Sequence, residues 1–351
     1  MDILVSHENS QTDCQVNGQA YSNDHRERNS TMLRFIRAYI KSMRLYYAFV
    51  TGMAGWLGIA YYEYVFSGTE FLLYKKIIIL VLLFLSWGIN QIFNDYLGLK
   101  EDQINAPERP MVTGELEPRK AIFTSVVLLM ISFAVIWAYL EPVAMIPALL
   151  GVLLNILYEY AKGYSLLGNI VFGLMIMMCT LVGFLALGPV MPIHLTPLGI
   201  LLLILVATMN GLMTFYTFFK DYQGDRAAHK KTIVVKYGIE KSRVFALGAA
   251  FIPAFIFVAA YYSGFLTFKL NTSFIFLALL TFFLNIWTGV LYFKYPTGER
   301  TYYSLATNFR TCACGEAALI SLFDPLLGMM LFITAYIFVG FLFDLHANSK
   351  A

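Results

Sequence analysis

Residues 77–102 read IIILVLLFLSWGINQIFNDYLGLKED. The run is apolar almost throughout to Ile89, then turns polar at Asn90, Gln91, Asn94, Asp95, Glu101 and Asp102. Extended upstream to residue 73, it supplies the roughly 20 mostly apolar residues that a helix needs to cross a hydrocarbon core of about 30 Å. Backbone N–H and C=O groups find no water there, so a helix that satisfies them internally is the expected form. A carboxylate at the middle of such a helix costs about 2.5–3.5 kcal/mol on insertion scales, so acids gathered at its end ask for a reason.

Eight further stretches share this character, at 44–66, 119–139, 143–160, 165–187, 197–220, 240–262, 273–293 and 325–345. Composition agrees: 59% of the 351 residues are hydrophobic and only 13% are charged, against about 25% charged in soluble domains. The expected fold is therefore all-α, a polytopic membrane bundle of about nine transmembrane helices around a central cavity. Residues 301–323 carry Arg310 and Glu316 and read as interfacial or buried in the bundle rather than as a tenth crossing. The loops 1–44, 98–120, 159–164, 220–243 and 294–310 hold 21 of the 25 Lys and Arg. The positive-inside tendency then places the N-terminus in the cytoplasm and, with nine crossings, the C-terminus outside. A bacterial cell membrane is the expected location.

Three segments follow: a polar tail at 1–32, expected to be disordered and cytoplasmic, a membrane domain at 33–345, and a short tail at 346–351. No apolar run follows a basic start, so no cleavable signal peptide is expected. Cys14, Cys179, Cys312 and Cys314 lack the paired spacing of a metal site. Nothing suggests a nucleic-acid partner.

Two polar clusters end apolar spans on the same side. In the first, Asn90, Asn94, Asp95, Glu101 and Asp102 share one sector if the helix continues. In the second, Lys220-Asp221-Tyr222-Gln223-Gly224-Asp225-Arg226, Asp221 and Asp225 share a face, and Asn210 points the same way from deeper in the bundle. Each alone could be a solvated helix end. Facing one cavity together, the pairs would repel by about 4 kcal/mol per contact at 4 Å and an effective dielectric near 20. Divalent cations relieve that repulsion, and hard carboxylate and amide oxygens suit Mg²⁺, which takes one or two carboxylates, waters and a substrate phosphate. The nearby cations Arg109, Lys162, Lys220, Arg226, Lys230 and Lys231 then have a phosphate to bind.

These residues resemble the UbiA superfamily of intramembrane prenyltransferases. The first motif of that family, NDxxDxxxD followed by an RP dipeptide, is matched by Asn94, Asp95, Asp102 and Arg109-Pro110. The second, KDxxGD followed shortly by KT, is matched by Lys220, Asp221, Gly224, Asp225, Lys231 and Thr232, and a Tyr-x-x-x-Lys by Tyr158 and Lys162. The resemblance covers about residues 33–345. One position departs: Gly98 stands where the first motif has its middle aspartate, and Glu101 is the nearest carboxylate that could replace it.

The resemblance implies that a prenyl diphosphate is ionised with the help of Mg²⁺ held by Asn94, Asp95, Asp102, Asp221 and Asp225. Arg109, Lys162, Lys220 and Lys231 would contact phosphate, Tyr158, Asn90 and Asn210 would line the substrate site, and an aromatic small molecule would accept the prenyl group. A membrane terpene cyclase and a transporter are the alternatives. The transporter lacks the inverted repeat and midplane polar path that such proteins show.

Overall fold

In the computed structural model, residues 31–67, 72–189, 196–264, 269–298 and 300–348 are described, the last four by backbone alone. The N-terminal tail expected at 1–32 falls almost wholly outside them. A first helix, α1, covers residues 31–43. After it come α2 (Phe49–Val65), α3 (Leu73–Leu97), two short helices α4 (Leu99–Asn105) and α5 (Pro110–Thr113), α6 (Pro118–Tyr139), α7 (Met145–Ala161), α8 (Leu166–Ala186) and α9 (Pro197–Ala227). The chain closes with α10 (Ile233–Ala249) and α11 (Ile252–Tyr262), which form one kinked rod, then α12 (Thr272–Lys294), α13 (Arg300–Ile320) and α14 (Pro325–Asn348).

Among the described residues, eight segments are long and apolar enough to cross a membrane: α3, α6, the α7 segment from Pro142, α8, α9, the α10–α11 rod, α12 and α14. The multi-pass bundle expected from composition is therefore present. Helix α2, at 17 residues, is shorter than the 44–66 stretch read from hydropathy. Its first turn is replaced by a 3₁₀ turn over Leu45–Tyr47 after Arg44, whose backbone is left-handed at φ 47°.

Of the two places expected for residues 301–323, the structure shows the one buried in the bundle. Helix α13 runs antiparallel between α12 and α14 over its whole length. Tyr302 bonds to the Phe343 carbonyl at 2.8 Å, Thr311 pairs with Thr288 at 3.0 Å, and Asn271, next to the start of α12, donates to the Ser321 carbonyl at 2.8 Å. At 1.5 Å per residue its 21 residues span about 31 Å. It runs the length of the bundle without being apolar because its neighbours, not lipid, cover its polar side chains: Ser304, Thr307, Asn308, Thr311 and Glu316 are all buried. One consequence corrects the expected topology. With α13 counted, residue 344 returns to the end of the bundle that holds Arg44, as the Tyr46–Phe343 ring contact at 6.5 Å records. The two ends of the described chain thus share a side. At the opposite end, Lys75 pairs with Glu141 at 3.2 Å and Lys76 pairs with Glu63.

Small residues bring the central helices together, as is usual where lipid offers no hydrophobic drive between helices. A Cβ on Gly183 would overlap the Gly55 carbonyl of α2, and one on Gly173 would overlap the Ala207 carbonyl of α9. Helix α8 is thereby clamped between α2 and α9. At the polar end, the loops after α7 and α9 are zipped by a two-residue parallel pairing, Tyr164 with Lys231 and Ser165 with Thr232. That zipper fixes where the lysines before it project.

Candidate active site

The two polar clusters meet. Asp102 on α4 and Asp221 and Asp225 on α9 line one cavity of about 130 Å³, together with Asn94, Arg109, Tyr158, Lys162 and Lys220. What joins the clusters is Asn105, which the sequence did not single out. Its Oδ1 accepts the Gly224 amide hydrogen at 2.9 Å, and its Nδ2 donates to the Asp221 carbonyl at 3.2 Å. Any side chain at Gly224 would overlap the Asn105 amide, which is why the second cluster carries glycine between its aspartates.

Charge in the cavity is arranged in pairs. Arg109 is ion-paired with Asp102 and lies 3.6 Å from Asp95. Burial raises the Asp102 carboxyl above its ordinary range, opposed by Arg109. Burial alone would lower Lys162, but the Glu159 carboxylate outweighs it and keeps the ammonium firmly protonated. Lys162 Nζ donates to Glu159 Oε2 at 2.8 Å and stands 6.0 Å from the Tyr158 ring centre. Lys220 pairs with Asp221 at 3.1 Å.

Four expected residues lie outside the polar cavity. Asp95 is 2% exposed and lies behind the cavity wall, where its Oδ1 is held by Arg44, by Arg109 and by Gln91 at 3.1 Å. Extrapolating an ideal helix past Leu97 missed this, because Gly98 at φ −95°, ψ 15° bends the chain between α3 and α4. Asn90 donates to its own helix at Ser86 and faces the apolar cavity rather than the polar one. Asn210 is fully buried and donates to Glu316 on α13 at 2.8 Å, so it holds two helices together away from the cavity. Lys231 is exposed in the loop zipper. Its neighbour Lys230 is the one that turns inward, pairing with Glu101 and with Glu159 at 3.2 Å. The turn is made by His229, left-handed at φ 59°. Arg44, Asn105 and Glu159 were thus missed as site residues, whereas Lys230 was among the cations expected to meet a phosphate.

Behind the polar cavity lies an apolar one of about 100 Å³, between α3, α6, α7 and α8, with Leu83, Phe133, Ile136 and Val182 in its wall. Trp87, Gln91, Asn94 and Phe172 line both, so the two adjoin across shared walls. At the polar mouth Tyr47 stacks on Phe309 at 4.6 Å, and Phe172 meets the Tyr158 ring edge at 5.3 Å.

Among the described residues no three acids or histidines close around one cation position. The donor set still fits Mg²⁺, which draws much of its shell from water and phosphate. Two buried oxygens of the lining residues, Asn94 Oδ1 and Asp225 Oδ2, have no hydrogen-bond partner in the described structure. An orphaned carboxylate oxygen is costly unless something binds it.

Comparison with known proteins gives a consistent result. The family described as UbiA prenyltransferase matches residues 48–310. A digeranylgeranylglyceryl phosphate synthase of Methanosarcina barkeri is 29% identical over 147 residues, 39% of this chain and 50% of that protein, so the match spans about half that relative's length. The synthase of the same name from Thermococcus gammatolerans is 28% identical over 237 residues, 67% of this chain and 79% of its own. Among solved structures, a UbiA homolog from Archaeoglobus fulgidus bound to DMAPP and Mg²⁺ superposes with a TM-score of 0.55 at 15% identity, covering 87% of this chain and 98% of that one. At that identity the likeness concerns the fold. These relatives are archaeal, whereas a bacterial membrane was expected.

Proposed function

The chain belongs to the UbiA prenyltransferase family, and from that membership and the cavity geometry we propose that it transfers a prenyl group from an isoprenoid diphosphate to an aromatic acceptor, with Mg²⁺ as cofactor, at the cytoplasmic face of a membrane. The observation that carries the reading is that an acid- and lysine-lined cavity adjoins an apolar one, with Trp87, Asn94 and Phe172 in the walls of both. A prenyl diphosphate is polyanionic at one end and apolar at the other, and this space has the same polarity along its length.

Mg²⁺, when bound, neutralises diphosphate charge and makes it a better leaving group. Asn94, Asp102, Asp221 and Asp225 would hold it. Asp95 supports the site indirectly by fixing Arg44 and Arg109. Arg109, Lys162 and Lys220 contact the phosphate oxygens and stabilise the charge that builds there as the allylic C–O bond breaks. The apolar cavity takes the chain and keeps water from the carbocation. Trp87 and Phe172 line both cavities and Tyr158 lies beside Phe172, and an aromatic ring stabilises a nearby cation by roughly 0.5–2 kcal/mol.

The acceptor has a second reading with its own support. The matched relatives are named for a glyceryl phosphate product, so a hydroxyl of a phosphate-bearing glyceryl lipid is the competing acceptor class. Purified protein with Mg²⁺ and a panel of prenyl diphosphates, offered aromatic acids, geranylgeranylglyceryl phosphate or neither, distinguishes the cases by product mass. A prenylated ring supports the proposal, an ether lipid replaces its acceptor, and a hydrocarbon or alcohol formed without acceptor indicates the cyclase. Intact diphosphate under every condition overturns the reading.

A further inference from the structure

Gly98 has φ −95° and ψ 15°, a backbone open to any residue, so glycine is not there for conformation. What it provides is room. A Cβ on it would lie 3.6 Å from Glu159 Oε2 and 4.0 Å from Glu101 Oε2, with the Asn94 carbonyl oxygen at 3.0 Å. The space that an aspartate side chain would enter is already faced by two carboxylates.

Both are buried, Glu159 at 7% and Glu101 at 4% exposure, and both line the polar cavity. They differ in how they are held. Glu101 Oε1 is engaged by Lys230 alone. Glu159 Oε2 is shared by Lys162 at 2.8 Å and Lys230 at 3.2 Å, two cations on one oxygen. A diphosphate entering beside Lys162 competes for those ammonium groups, and each lysine it draws off leaves Glu159 with unneutralised charge. Asp225, 2% exposed in the same wall, already offers a free Oδ2.

We propose, resting on the metal–diphosphate reading above, that Glu159 is a cation ligand that takes the place vacated at Gly98, carried on α7 instead of α3. Lys162 and Lys230 hold it while the site is empty and pass to phosphate oxygens when substrate arrives. The metal set then spans α3–α4, α7 and α9, which couples metal binding to the loop zipper between Tyr164 and Lys231.

The test uses the full chain in detergent or nanodiscs, Mn²⁺ as a paramagnetic probe and inorganic pyrophosphate, with free Mn²⁺ read by electron paramagnetic resonance. Glu159→Gln is expected to weaken Mn²⁺ binding about tenfold with pyrophosphate present, and the double variant Gly98→Asp/Glu159→Gln to regain most of it. Should Glu159→Gln fold poorly for want of a lysine counter-charge, Glu159→Gln/Lys230→Met restores the charge balance and is expected to show the same weakening. Unchanged Mn²⁺ affinity in the Glu159 variants overturns the proposal, as does a loss produced by Glu101→Gln and not by Glu159→Gln. A wild-type protein that binds no Mn²⁺ with pyrophosphate defeats the underlying metal reading instead, so the two failures are told apart.

Discussion

Asn105 ties two distant parts of the chain together, with its Oδ1 on the Gly224 amide at 2.9 Å and its Nδ2 on the Asp221 carbonyl at 3.2 Å. The acids of α4 and α9 depend on this clasp for their common cavity. Two partly buried hydrogen bonds contribute about 1 kcal/mol each. Asn105→Ala should therefore lower kcat/KM for the prenyl diphosphate by ten- to thirtyfold while the protein still extracts as a folded bundle. Steady-state kinetics beside a thermal-unfolding trace checks both halves of that statement.

Gly224→Ala addresses the same clasp from the other side. The added methyl overlaps the Asn105 amide, so the loss should equal or exceed that of Asn105→Ala. The double variant should be no worse than Gly224→Ala alone, since the clash needs the amide. Additive losses in the double-variant cycle would show that the two side chains act independently.

Asp102→Asn and Asp221→Asn each remove a carboxylate from the cavity wall, and turnover should fall at least a hundredfold in both. Asp95→Asn should behave differently. It lies behind the wall and holds Arg44 and Arg109, so its loss should raise KM for the diphosphate more than it changes the Mg²⁺ concentration for half-maximal rate. A magnesium titration of the three variants separates the classes.

The adjacent lysines make a sharp pair. Lys230 reaches Glu101 and Glu159, whereas Lys231 is exposed. Lys230→Met should reduce turnover at least tenfold and Lys231→Met less than twofold, measured with the same diphosphate. The reverse order would reinstate the assignment made from the motif alone.

Asn210 and Glu316 carry a structural prediction. Asn210→Ala leaves a buried carboxyl without its 2.8 Å donor, which costs about 1–3 kcal/mol. Thermal unfolding in detergent should shift downward while KM for the diphosphate stays within twofold.

Hydropathy made the bundle legible because lipid-facing helices must be apolar along their length, as α6 with Phe123, Met130 and Trp137 exposed illustrates. The same rule hid α13, whose Asn308 and Glu316 are satisfied by Met213 and Asn210 rather than by lipid. Spacing brought Asp102, Asp221 and Asp225 to one place because each sits near a helix end whose neighbours fix its direction. It failed for Asp95 and Asn210, since facing the right way along one helix says nothing about which neighbour stands there. Glu159 and Arg44 left no local mark at all. Their roles come from α7 and α1 being packed against α3, a relationship that only tertiary structure states.

The hairpin of α13 and α14 has a practical reach. Because the Tyr46 and Phe343 rings meet at 6.5 Å, reporter proteins fused to the front and to the back of the chain would light up in the same compartment. A split fluorophore divided between the two termini should reassemble on one molecule, and a protease confined to the other compartment should leave both tags attached.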